Sequence, residues 1–308
     1  MGKPFRFGVQ VRNAVDGKAW RDLARKIESL GYSTLYVPDH FTDQWGPIVA
    51  LTVAAEATST LVVGALVFDN DYRHPITLAK EMLTLDLVSE GRVEFGLGAG
   101  WMKSDYDAAG IAYDEPKVRV DRFEEALGIY TALFRQGVAT AKTTHYDVAA
   151  LQGEPRPAVG PKILIGGGGK RVLGIAARHA DIVGVNPSLK AGYVGPEVAA
   201  SALAPKFHER IGWLREAAGT RFDDIELQIL TFFVQITDDR AGALDNLAPL
   251  FGVASAAAAE VPLALVGSVD EIVETLHRRR EEYGFSNVVI HEGEVEDFAP
   301  VVEALAGT

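Results

Sequence analysis

A TIM (β/α)8 barrel carrying insertions is the fold this 308-residue sequence predicts. Two observations predict it. The spacing of apolar residues switches repeatedly between two and about 3.6, so strand-like runs alternate with helical ones. Strands separated by helices pair in parallel, because each return crossover needs a helix. Eight such units in a chain of this length fit the arithmetic of a barrel. Nothing marks the crossover break of a doubly wound, two-half nucleotide fold. Every Gly/Pro-rich stretch is too short to be a domain linker, so residues 1–308 are read as one domain.

The units follow in order. Phe5, Phe7, Val9 and Val11 alternate with Arg6, Gly8 and Gln10 as the first strand. Trp20, Leu23, Ala24 and Ile27 then recur at helical spacing, and Gly31 stands where a helix stops. Ser33 to Val37 is the second strand, and Pro47 opens a helix to about Thr58. Leu61 to Val67 is the third, with Pro75 opening a helix that ends near Gly91, and Arg92 to Ala99 is the fourth. A helix from about Lys117 to Phe134 leads into an irregular stretch, Thr140 to Ala158. Strands five and six are Lys162 to Ile165 and Asp181 to Val185, around a helix from Arg171 to His179. One long helix, Pro196 to Ala218, precedes a seventh strand from Glu226 to Gln235 and a helix from Asp238 to Leu250. Val269, Ile272, Val273 and Leu276 stripe the last large helix, and Asn287 to His291 closes the series.

Composition narrows the function classes. Lys plus Arg total 30 against 42 acidic residues, a net charge of -12, which argues against a nucleic-acid binder. Cysteine is absent, which removes disulfides, thiolate metal sites and cysteine nucleophiles. Residues Met1 to Gln10 show no signal-peptide pattern. The stretch Ile48 to Phe68 nears membrane length, but Glu56 and Thr58-Ser59-Thr60 break it, and it reads as helix then strand. The expectation is a cytoplasmic protein with no membrane partner.

Barrel active sites lie at the C-terminal ends of the strands. Those ends read Pro38-Asp39-His40-Phe41, Val67-Phe68-Asp69-Asn70, Ala99-Gly100-Trp101 and Gly166-Gly167-Gly168-Gly169-Lys170. The four glycines open a helix, where backbone N–H groups and the helix dipole favour an anion, and Lys170 adds a cation. Phosphate binding is the expected role, although the spacing fits neither a P-loop nor a dinucleotide fingerprint. His40 is the acid–base candidate. It is the one histidine identified at these ends, too few for a metal-dependent hydrolase, and no glycosidase carboxylate pair is found. His179 and Asp181 fall on the opposite, stability face, and His74 reads as a structural residue at a helix entry. Trp45 and Trp101 are core residues or walls of an aromatic-ligand pocket. Arg6 and Glu94, both near strand starts, are expected to pair at the bottom of the barrel. Gly96, Gly98 and Gly100 leave space at the upper face where a cofactor plane fits. A phosphate cradle with few catalytic groups suits chemistry carried by a cofactor.

Several segments together resemble the luciferase-like monooxygenase superfamily. They are Gly64-Ala65-Leu66-Val67 with Arg73-His74-Pro75, then Leu85 to Arg92, Gly96-Leu97-Gly98-Ala99-Gly100-Trp101, Pro161 to Gly169, Ala176 to Asp181, and Val266-Gly267-Ser268 with Asp270-Glu271. The branch they look most like is actinobacterial and dependent on coenzyme F420, a deazaflavin. That resemblance implies a homodimeric barrel that transfers a hydride between F420 and a small organic substrate. By its pattern, a non-prolyl cis bond at Leu66–Val67 stands behind the cofactor ring. Asp39, His40, Leu66, Val67, Ala99, Gly100, Trp101, Gly166, Gly167, Gly168, Gly169 and Lys170 would then contact the cofactor. His40 would move the accompanying proton, with Asp39 orienting its surroundings. Asp39-His40 is similar to the Asp-His pair of deazaflavin-dependent sugar-phosphate dehydrogenases. Trp101 departs from them, since they carry a catalytic glutamate there, and this points to a more apolar pocket than a sugar phosphate needs. Two alternatives share the scaffold: an FMN-dependent monooxygenase using oxygen and a separate reductase, and a non-catalytic flavin-binding protein.

Overall fold

The computed structural model describes residues 2–308. Its parallel strands are β1 (Arg6–Gln10), β2 (Thr34–Val37), β3 (Val62–Ala65), β4 (Phe68–Asp69) and β5 (Val93–Gly98) in the first half of the chain. An antiparallel hairpin follows, β6 (Val138–Lys142) and β7 (Asp147–Gln152), then β8 (Lys162–Gly167), β9 (Ile182–Val185) and β10 (Glu226–Leu230). Two further strands, β11 (Phe233–Ile236) and β12 (Ala264–Gly267), pair with each other in parallel, and β13 (Phe285–His291) comes last. The main sheet runs β3-β2-β1-β13-β10-β9-β8-β5-β4, and pairing of β3 with β5 closes it. With β3 and β4 counted as one interrupted strand, it is an eight-stranded parallel barrel among the described residues. The fold expected from the apolar periodicity is the fold observed.

Two apolar layers hold the ring. Outward-facing side chains such as Phe7, Val9, Leu35, Val63, Phe95, Ile163 and Val288 pack against the surrounding helices. A smaller cluster of Tyr36, Leu66, Leu164, Ile182 and Val289 fills the inside. Gly8 belongs to this layering, because a Cβ there would meet the Tyr36 ring at 2.8 Å. At the bottom Arg6 meets Glu94 at 2.9 Å, as expected, and its Nε also donates to Glu226 at 2.7 Å. Tyr36 donates to Glu94 and receives the Gln228 side-chain amide at 2.9 Å.

Four segments differ from the sequence reading. The stretch 140–158 contains most of the β6–β7 hairpin, whose second strand runs Val148-Ala149-Ala150-Leu151 and so shows no alternating pattern. The seventh strand ends at Leu230, because Phe232 turns its amide to the Leu263 carbonyl and carries the chain onto β12. The helix over 196–218 is two helices, Pro196–Ser201 and Ala204–Ala218, with Leu203 capping the second ahead of Pro205. A short helix, Lys103–Ala109, follows Trp101, where no apolar stripe announces one. Residues 48–68 do form a helix and then a strand, and no helix among the described residues is long and apolar enough to cross a membrane.

Candidate active site

The predicted residues gather at the C-terminal ends of β2, β3/β4, β5 and β8, at one mouth of the barrel. His40 follows β2, and its side chain is 19% exposed. Its Nδ1 lies 2.6 Å from Asp105 Oδ2, and its ring stands edge-on to Trp101 at 5.7 Å. Asp39 does not partner His40. Its carboxylate takes two bonds from Arg73, at 2.5 and 2.9 Å, and a third from the Asp69 backbone N–H at 3.1 Å. Arg73 stands out in the sequence only as part of a motif. No sequence signal singles out Asp105, which comes from the unanticipated helix Lys103–Ala109.

The peptide bond Leu66–Val67 is cis, where the resemblance placed it. The Leu66 carbonyl accepts from the buried Gln10 side chain at 2.8 Å, and the Leu66 amide donates to Val37 at 3.0 Å. Val67 corrects the reading of the glycines on the fourth strand. A Cβ on Gly98 would stand 2.8 Å from Val67 Cγ2, and one on Gly96 would collide with the Ala65 carbonyl oxygen. The missing side chains therefore make room for the β3–β4 connection and Val67, which floors the mouth in their place. Gly100 has φ +75, and Tyr106 and Asp69 fill the space its side chain would take.

Ala99, Gly100 and Trp101 are half-buried after β5. Trp101 presents its carbonyl to the Tyr113 hydroxyl at 3.0 Å, and the Arg119 guanidinium lies 3.9 Å from the centre of the Tyr113 ring. Phe41, 52% exposed, leans on Tyr72 with ring centres 4.6 Å apart. Trp45, the other candidate pocket tryptophan, packs on the core residue Trp20 at 5.2 Å.

The glycine run divides in two. Gly167 is backed by Val172 at 2.5 Å, and Gly168 is wedged against the Asn186 and Pro187 carbonyls, so these two serve packing as glycines. Gly169 is exposed, with nothing near its absent Cβ, and caps the helix Lys170–His179 without any side-chain bond. Lys170 is the first, exposed residue of that helix. An uncapped N-terminus with open backbone N–H groups, a neighbouring cation and no Cβ in the way fits a phosphate group.

A second histidine, His291, also stands at a strand end, that of β13, and corrects the sequence-derived count of one. Burial holds its imidazole below the usual range, and it caps the following turn with Glu294. Carboxylates also collect here, several of them with partners. Asp71 pairs with Arg122 at 2.9 Å, and Asp69 takes the Tyr106 hydroxyl at 3.0 Å. Among the described residues no group of three or more His, Cys, Asp or Glu is arranged to hold a metal ion.

Burial pushes the Asp69 carboxyl up to about 7; the Asp71 N–H and the Tyr106 hydroxyl oppose this, and the Asp71 and Asp39 charges add to it. The folded chain keeps a proton that an unfolded aspartate releases near pH 4. Stability is therefore lost as pH rises from about 4 to about 7. Asp69→Asn should raise the melting temperature at pH 8, by the equivalent of about 1–3 kcal/mol, and give no gain at pH 4. Thermal unfolding of both proteins across that range measures it, and an equal gain at both ends would contradict the assignment.

The chain matches the Luciferase-like monooxygenase family over residues 3–287. It belongs to that family. The 4-hydroxyprotoasukamycin monooxygenase of Streptomyces nodosus subsp. asukaensis is 27% identical, covering 86% of this chain and 78% of its own. An F420-dependent glucose-6-phosphate dehydrogenase of Kribbella flavida is also 27% identical, over 73% of this chain and 68% of its own. The structure of the coenzyme F420 dependent tetrahydromethanopterin reductase from Methanopyrus kandleri superposes with a TM-score of 0.77 at 18% identity, covering 98% and 99% of the two chains. That likeness is one of fold. Relatives named for F420 and for FMNH2 both match, so this is a family of flavin- and deazaflavin-dependent oxidoreductases.

Proposed function

We propose that this protein is a cytoplasmic, single-domain F420-dependent oxidoreductase that moves a hydride between the deazaflavin and a small uncharged organic substrate. One observation carries the reading: a half-buried imidazole, His40, stands beside an aromatic wall at the barrel mouth that also holds an open anion cradle. When bound, the deazaflavin supplies the hydride acceptor or donor. Oxidising an alcohol removes a hydride from carbon and a proton from oxygen. His40 takes that proton, and returns it when a carbonyl is reduced. Val67 and Leu66 would back the ring and Ala99, Gly100 and Trp101 would border it, while Asp39, held by Arg73, fixes the loop that carries His40. Gly169 and Lys170 would hold the phosphate on backbone N–H groups and an ammonium, while the packing of Gly167 and Gly168 as glycines sets the course of the chain into that turn. Dimerisation belongs to the same reading, because Val49, Leu87 and Val88 expose apolar side chains on the neighbouring helices Pro47–Ala57 and Pro75–Val88.

The test is a parallel titration of the purified protein with F420 and with FMN. Selective F420 binding supports the reading. Lys170→Glu should then weaken that binding about tenfold, from loss of one charge-assisted contact and gain of a repulsive one. A second reading, monooxygenation with FMN and a partner reductase, is favoured by the monooxygenase relative, which covers more of the chain than the dehydrogenase does. Preference for FMN with substrate-dependent oxygen consumption would select it. Cofactor binding without any turnover would leave a flavin carrier.

A further inference from the structure

We infer that Asp105 is the positioning residue of His40, fixing which ring nitrogen handles the proton. The inference rests on the role proposed for His40 and goes beyond it. Asp105 is buried, and its Oδ2 lies 2.6 Å from His40 Nδ1 and 3.2 Å from the Tyr72 hydroxyl. Burial and the nearby Asp69 and Asp105 charges push the Tyr72 phenol well above its usual range, so Tyr72 remains a donor. As a carboxylate, Asp105 can only accept, and its Oδ2 is the atom that both Tyr72 and His40 reach. Nδ1 must therefore donate to it, and neutral His40 is held as the Nδ1–H tautomer. Nε2 is then the lone-pair nitrogen left to accept the substrate proton.

The three residues come from three strand ends: His40 after β2, Tyr72 after β4, and Asp105 one helical turn beyond Trp101. Asp105 is the buried member of the group, at 3% side-chain exposure, and Phe41 packs on the Tyr72 ring. Asp39 is occupied by Arg73 and offers His40 no competing acceptor. The arrangement works only while the helix Lys103–Ala109 is folded, so the segment after Trp101 controls proton transfer without touching the reacting atoms.

The test begins with nitrogen-15 NMR of histidine-labelled protein without cofactor, at about pH 8.5, where imidazole is neutral. His40 should report the Nδ1–H tautomer. Free imidazole side chains favour Nε2–H, and finding that form at His40 would overturn the inference. Asp105→Ala should release His40 to the Nε2–H form and lower kcat about 10–100-fold, with KM and F420 affinity unchanged. A released tautomer with unchanged kcat would also overturn it. Should Asp105→Ala fail to fold, Asp105→Leu keeps the bulk of this buried side chain while removing the acceptor, and the same two readouts apply. The tautomer measurement needs neither cofactor nor substrate. It therefore decides the positioning claim even where the F420 titration fails.

Discussion

His40→Ala lowers kcat by about 10²–10⁴-fold while F420 affinity stays within about twofold of the parent. The expectation follows from where the imidazole sits. His40 spends Nδ1 on Asp105 and lies edge-on to Trp101, so removing it deletes a proton carrier and leaves the Val67 floor and the Gly169–Lys170 cradle intact. Steady-state kinetics beside a fluorescence titration of F420 measure both quantities. Unchanged turnover with cofactor still bound would remove His40 from the chemistry. A parallel loss of affinity would recast it as a ring contact.

Gly96→Ala costs about 1–3 kcal/mol of stability and weakens cofactor binding with it. The new Cβ would be driven into the Ala65 carbonyl oxygen, and Val67 Cγ1 stands 3.2 Å away. Neither neighbour is the loose end of a flexible side chain. β5 must therefore move away from β3 and β4, and the floor moves with it. Gly128→Ala is the control within the same chain. It lies in the helix Pro116–Thr131 with open space around it, and alanine there gains helix propensity of up to about 1 kcal/mol. Urea denaturation of the two variants should shift in opposite directions. Equal tolerance at both positions would show that the β3–β4 connection has slack the geometry does not suggest.

What the sequence made legible was governed by long-range pattern and by chain direction. Alternating spacing in Phe5 to Val11 and helical spacing in Trp20 to Ile27 survive in the fold, because burial of one face selects them. The Arg6–Glu94 pair was readable because both residues sit at the same height on inward faces. Asp105 was not readable. Its helix is short and polar, and its approach to His40 depends on the closed ring. The glycines of β5 were read with the right location and the wrong occupant, since spacing shows where a side chain is missing and says nothing of what fills the gap. Phe232 hid the end of β10 for a related reason: an apolar run looks the same whether it stays in the barrel or leaves it.

The carboxylates at the ends of β2 to β5 give the mouth an electrical polarity. Asp39, Asp69, Asp71 and Asp105 face two guanidiniums, Arg73 and Arg122, so negative charge exceeds positive among these six groups, and by one more when Asp69 is ionised. The end of β8 has the opposite character, with open N–H groups and Lys170. On the reading proposed above, a molecule entering with its own phosphate would be drawn toward β8 and away from the wall that holds His40. Such a field would sort two ligands that share one opening, keeping a phosphorylated one at the β8 side and admitting a neutral one to the acidic side.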